Sequence, residues 1–113
     1  MEISHQITND CLVLSLKGDL IGEQNGNQIL ELVSDAQNAK VLVVLVNLEN
    51  VRYVNSSGLG VLITLLTKVK NKGGELALLN ISEQISKLLQ ITKLDSIFSV
   101  YANKEEAFNA IKF

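Results

Sequence analysis

The residues best equipped for chemistry lie in one short run, Val54-Asn55-Ser56-Ser57-Gly58-Leu59-Gly60. Two hydroxyls, a carboxamide and two glycines stand where a polar stretch gives way to a segment predicted to be helical from Ser56 to Lys72. The first backbone N–H groups of a helix lack internal partners and give that end a partial positive charge. A side-chain oxygen of Asn55 or Ser56 can satisfy one of them as a cap. Gly58 and Gly60 carry no side chains, so another molecule's backbone has room to approach. Glycine within a helix costs about 1 kcal/mol relative to alanine. Two such residues in one turn imply a function or an unusually close helix contact.

Reversible phosphorylation is the chemistry this position suits. A phosphoryl group on Ser56 adds roughly 1.5 to 2 negative charges. The free amides of a helix start stabilise an anion, so the fold is expected to survive the modification. A partner seated on the neutral surface must instead desolvate or repel the new charge, at a cost of several kcal/mol. Capping alone also accounts for a serine at a helix start, and the run gains meaning only from its surroundings.

Other candidate chemistries fall away. The segment is not a nucleophile elbow, because Val54 stands where Gly-x-Ser-x-Gly needs glycine. Gly58-Leu59-Gly60 lacks the third glycine of a dinucleotide fingerprint, and no Gly-Lys-Ser/Thr phosphate loop occurs. His5, the one histidine, lies in a predicted N-terminal strand, and nothing in the sequence indicates the acid or nucleophile that a catalytic role would need beside it. Cys11, the one cysteine, has no partner for an internal disulfide and no companions for a metal site. It is expected to behave as a small buried hydrophobe. No catalytic residue, metal or cofactor is expected, and the chain is read as a non-enzyme.

The elements that must position Ser56 follow from hydrophobic periodicity. Ile3, His5 and Ile7 alternate as in a half-buried strand, Asn9-Asp10 suits a tight hairpin turn, and Leu12 to Leu16 form a second strand closed by Lys17-Gly18. From about Glu23 to Ala39 the period becomes helical, with Ile29, Leu30, Val33 and Ala36 on one side. Val41 to Val46 is a continuous apolar run and predicts a strand buried on both faces. Asn47 to Asn55 is expected to be a polar loop. In the helix that follows, Leu59, Leu62, Ile63, Leu66 and Val69 form a stripe that Val61 and Leu65 widen, Lys68, Lys70 and Lys72 suit its negative end, and Gly73-Gly74 stops it. Glu75 to Leu79 is a strand, Ser82 caps a third helix carrying Ile85, Leu88 and Leu89, and Ile97 to Val100 is a short last strand. Asn103 caps a terminal helix with Ala107, Ala110 and Ile111 facing inward. Strands alternating with helices imply parallel pairing, and the opening hairpin adds one antiparallel strand. The expectation is a single-domain α/β fold over residues 1–113, a mixed sheet of about five strands with about four helices.

Composition agrees with this and narrows the partners. Of 113 residues, 47% are apolar, enough for a core without disulfides or metal. The net charge of −2 comes from interspersed residues, without the basic face that nucleic acid demands. No apolar run approaches the roughly 20 residues of a membrane span, and the N-terminal residues lack the build of a signal peptide. A cytoplasmic protein, monomeric or weakly dimeric, is the expectation.

Motif, spacing and element order together resemble a STAS domain of the anti-sigma-factor antagonist type, over essentially the whole chain. Members carry Asp-Ser-Ser/Thr-Gly-Leu/Ile-Gly between the third strand and second helix, matched here by Ser56-Ser57-Gly58-Leu59-Gly60. Leu45-Val46-Asn47-Leu48 and Lys17-Gly18-Asp19-Leu20 resemble two further segments of the family. Asn55 and Asn47 stand where aspartate is usual, and Ile21 where many members have a second acidic residue. The resemblance implies that Ser56 is phosphorylated by a partner kinase. It further implies that Asn55, Ser57, Gly58, Leu59 and Gly60 form the docking surface, with Asp19 an acidic neighbour.

The implied partner is an anti-sigma factor that is itself a serine kinase of the histidine-kinase-like ATPase type. Unphosphorylated, the chain would bind that partner and free a sigma factor; phosphorylation would release it. The alternative within the same fold is an adaptor or scaffold subunit without a phosphorylation cycle, for example beside a membrane transporter.

Overall fold

A computed structural model describes residues 1–111. The hairpin of β1 (Glu2–Thr8) and β2 (Cys11–Leu20) leads into α1 (Gly22–Asn38), followed by β3 (Val43–Val54), α2 (Ser56–Asn71) and β4 (Glu75–Leu79). The chain then forms α3 (Glu83–Ile91), a 3-10 turn (Leu94–Ser96), β5 (Ser99–Tyr101) and α4 (Lys104–Ala110). The five strands lie in the order β1-β2-β3-β4-β5, the first pair antiparallel and the rest parallel. The expected mixed sheet and element order are therefore present. Asn9 and Asp10 both have positive φ, at 52° and 61°, the conformation a two-residue hairpin turn requires.

Side-chain alternation divides the sheet between two cores. Leu12, Leu14, Leu16, Val44, Val46, Leu76 and Leu78 face the larger one, with α1, α2 and α3 contributing Ile29, Val33, Leu62, Leu65, Ile85 and Leu89. Cys11, Val13, Leu45, Ala77 and Leu79 face the other side, where α4 supplies Ala107. The doubly buried centre of β3 is thus as the apolar run predicts, although the strand starts at Val43 rather than Val41.

The main departure is at the upper end of the sheet. Asn47 to Asn55 is no loop: β3 continues to Val54, and β2 continues past Gly18 to Leu20 beside it. Two bulges hide this in the sequence. From Ser15 to Lys17 β2 advances two residues while β3 advances three, from Asn47 to Asn50, and a second shift falls between Gly18 and Asp19. Leu48, Val51 and Val54 consequently enter one core at a spacing of three rather than two. Gly18, at φ 110°, takes a conformation closed to other residues.

Smaller departures lie at the margins of the two cores. On the edge strand β1, His5 is exposed and Ile7 is 55% exposed, so only Ile3 is packed. Ile63 faces out from α2, whose buried side is Gly58, Leu59, Val61, Leu62, Leu65 and Val69. In α4, Ala107 is buried but Ala110 is exposed. The last strand begins at Ser99, because the 3-10 turn leaves Ile97 at the surface.

Candidate functional site

The extension of β2 and β3 fixes where α1 and α2 begin. Leu20 and Val54 are register partners at the ends of parallel strands, so both helices start side by side at the same edge of the sheet. The Leu20 carbonyl accepts a hydrogen bond from the Asn55 amide at 3.3 Å, tying the two strand exits together.

Glycine lets the two starts approach. A Cβ on Gly58 would lie 2.3 Å from the Leu20 carbonyl oxygen, and one on Gly22 would lie 2.4 Å from the Ser57 carbonyl oxygen. Gly58 is therefore filled from within its own chain, and the expectation that it leaves room for a second molecule's backbone is corrected. Gly60 differs: a Cβ there would meet nothing within 4 Å.

Asn55 is the N-cap of α2, its Oδ1 accepting from the Gly58 amide at 2.7 Å. Ser56 is the first helical residue and is exposed, and no hydrogen bond to another described residue engages its hydroxyl. Ser57 is the opposite case. Its hydroxyl accepts from the Gly22 amide at 3.0 Å and lies 2.5 Å from Glu23 Oε2 and 2.9 Å from Asn55 Oδ1 as donor. The Ile21 N-cap of α1 offers no side-chain hydrogen bond, so Ser57 performs that service from the neighbouring helix. The Glu23 carboxyl is held below the usual range, first by the Ser57 hydroxyl, then by its own backbone N–H and the Asn55 amide.

Among the residues marked out by sequence, Asn55, Ser56, Ser57, Gly58, Leu59 and Gly60 share one helix start, with Gly58 and Leu59 buried beneath it. Asp19 is close in register, opposite Tyr53, but its carboxylate pairs with Arg52 at 3.4 Å and makes no contact with the hydroxyl network. Glu23 and Gly22 escaped the sequence reading. A glycine directly before an acidic residue at a helix start was the available signal, yet nothing in the spacing puts residue 22 beside residue 57. Next to the site runs a groove of about 290 Å³ lined by Tyr53, Val54, Leu88 and Ile91, with Ile91 79% exposed. Among the described residues no cluster of His, Cys, Asp and Glu could hold a metal ion, and no helix is long and apolar enough to cross a membrane.

A sheet covered by three helices on one side, with a serine displayed at the first position of α2, defines an α/β module that presents a helix start at its surface. The chain belongs to the STAS domain family, whose model matches residues 2–107. It is 23% identical to the anti-sigma F factor antagonist of Paenibacillus polymyxa over 99% of this chain and 96% of the relative. With the anti-sigma-B factor antagonist of Bacillus subtilis it shares 41% identity over 51% of this chain and 53% of that one. Among solved structures it resembles an anti-sigma-factor antagonist (STAS) domain protein from Planctomyces limnophilus, with a TM-score of 0.79, 25% identity and 96% of each chain covered. The Bacillus cell fate determinant SpoIIAA in its phosphorylated form gives a TM-score of 0.75 at 25% identity, covering 98% of this chain and 100% of that one.

Proposed function

We infer that this chain is an anti-sigma factor antagonist that works by partner switching in the cytoplasm, without catalytic activity of its own. The observation that carries the inference is the contrast between adjacent hydroxyls at the start of α2: Ser56 is exposed and uncommitted, Ser57 is enclosed in hydrogen bonds. The names of the relatives and the existence of a phosphorylated form of a similar fold support it.

The partner is an anti-sigma factor that is also a serine kinase of the histidine-kinase-like ATPase type. It docks on Ser56 and Gly60, flanked by Asn55, Ser57 and Asp19, while Gly58 and Leu59 shape the surface from below. The kinase transfers the terminal phosphoryl group of its bound nucleoside triphosphate. The bond from Ser56 Oγ to phosphorus forms, the bridging bond to the nucleoside diphosphate breaks, and the hydroxyl proton passes to a base of the kinase. The product dianion sits at the start of α2, where free amides stabilise it, so the fold persists while the docking surface changes sign.

The test is a binding series with the partner anti-sigma factor. Ser56→Ala should bind without regulation, and Ser56→Asp should bind at least about tenfold more weakly, a loss of about 1.4 kcal/mol. Equal binding by both variants would remove the switch.

A further inference from the structure

Two serines stand next to each other at the start of α2, and a kinase that reaches one reaches the surroundings of the other. The structure treats them differently through a residue on a separate helix. We propose that Glu23 is the specificity determinant that leaves Ser56 as the sole phosphate acceptor, by engaging the Ser57 hydroxyl and holding a carboxylate against the oxygen that would carry a phosphate on Ser57. This rests on the phosphorylation of the site inferred above and names the residue that directs it.

The valence of the Ser57 oxygen sets the first limit. A hydroxyl has one hydrogen and two lone pairs. The Gly22 amide takes one lone pair at 3.0 Å, and the hydrogen points into the acceptors Glu23 Oε2 at 2.5 Å and Asn55 Oδ1 at 2.9 Å. One lone pair is left, on an oxygen that the start of α1 half covers. Attack on phosphorus from this oxygen breaks the contact to Glu23.

A carboxylate next to a serine can also activate it by accepting its proton. Charge decides against that here. The product would set a phosphate dianion against a carboxylate at hydrogen-bond distance, and like charges so close disfavour both ionised forms. The Ser57 hydroxyl moreover holds the carboxyl of Glu23 below its usual range, which makes it a weak base. Ser56 meets neither obstacle: its hydroxyl is exposed and unengaged. Asn55 completes the arrangement: its neutral carboxamide accepts from the same Ser57 hydroxyl, where an aspartate would set a second carboxylate beside Glu23.

The experiment uses the full chain, labelled ATP and the partner anti-sigma factor kinase, with the modified residue located by peptide fragmentation. The wild type should carry phosphate on Ser56 alone, and Ser56→Ala should take label at less than about a twentieth of the wild-type rate, because Ser57 is withheld. Glu23→Ala should divide its phosphate between Ser56 and Ser57, and Ser56→Ala/Glu23→Ala should regain label on Ser57, at least about tenfold above Ser56→Ala. Retained label on Ser56 in Glu23→Ala shows that the variant is still a folded substrate. Ser57 labelling in Ser56→Ala at a rate near the wild type would overturn the proposal, while label on the wild type would still support phosphorylation at this helix start. Exclusive use of Ser56 in Glu23→Ala would overturn the proposal too. A wild-type chain that takes no phosphate under conditions where it binds its partner would remove the phosphorylation reading, and this determinant with it.

Discussion

The hydroxyl of Ser57 accepts a hydrogen bond from the backbone amide of Gly22, 35 residues away in sequence and 3.0 Å away in space. A serine in the first turn of one helix thus caps the next helix over. The bond couples the starts of α1 and α2, and it sorts two neighbouring serines into a structural one and a displayed one.

That division predicts unequal stability effects. Ser57→Ala removes the partner of the Gly22 amide and the donor to Glu23, a combined loss of capping type worth roughly 1–2 kcal/mol. Ser56→Ala touches no hydrogen bond among the described residues and should stay within about 0.5 kcal/mol of the wild type. Urea denaturation of both variants measures the difference. Equal midpoints would mean that the Ser57 contacts contribute nothing net.

The two glycines of the motif should respond in opposite directions. On Gly58 a methyl group would meet the Leu20 carbonyl at 2.3 Å, backbone against backbone, so neither side can yield by a rotamer change. Gly58→Ala should cost at least about 1–3 kcal/mol, the range of an overpacked core. On Gly60 the methyl group enters open space, and the better helix propensity of alanine should raise stability by up to about 1 kcal/mol. Thermal unfolding of the pair decides it, and a stabilised Gly58→Ala would contradict the close approach of α2 to the end of β2. In the partner-switching reading, Gly60→Ala should also weaken partner binding even as it stabilises the fold.

Local features of this fold are legible in the sequence, and those that depend on register are not. The alternation of apolar runs with helical stripes marks the five strands and four α-helices in order, though not the 3-10 turn at Leu94–Ser96. The upper halves of β2 and β3 were missed because bulges reset the period: Leu48, Val51 and Val54 fall three apart, a spacing that suits neither a regular strand nor a polar loop. The motif itself was legible, and so was the cap at Asn55, since capping is local. Glu23 was not. Its role depends on two strands ending at the same height, which is a fact of register and not of composition. The same holds for Gly58, whose cost was visible in the sequence while its reason, the Leu20 carbonyl, was not.

Acid should loosen the site before it loosens the core. The Glu23 carboxyl is held low by Ser57, its own amide and Asn55. A carboxyl whose folded pKa lies below its unfolded value, about 4.3 for glutamate, contributes stability that is present in full above that value. The contribution disappears as the pH falls through the folded pKa. The stability difference between the wild type and Glu23→Gln should therefore be constant at neutral pH and shrink below about pH 4. A difference that stayed flat down to acid unfolding would show that the carboxylate charge plays no part in holding α1 to α2.

Cys11 offers an independent check on the second core. It is fully buried at the start of β2, on the side covered by α4, and burial first, then the neighbouring Asp10 carboxylate, push its thiol pKa up. Both effects suppress the thiolate, the form that reacts. Native protein at pH 8 should therefore consume a thiol-specific disulfide reagent at least about 100-fold more slowly than urea-unfolded protein. The slow rate should follow the opening of this face of the sheet rather than the chemistry of the sulfur. An Ala107→Gly variant thins the cover from α4 and should speed the native reaction while leaving the unfolded rate unchanged. Rapid native labelling would mean that α4 does not close over β2 and β4 as described, and it would leave the Ser57 contacts on the opposite core untouched.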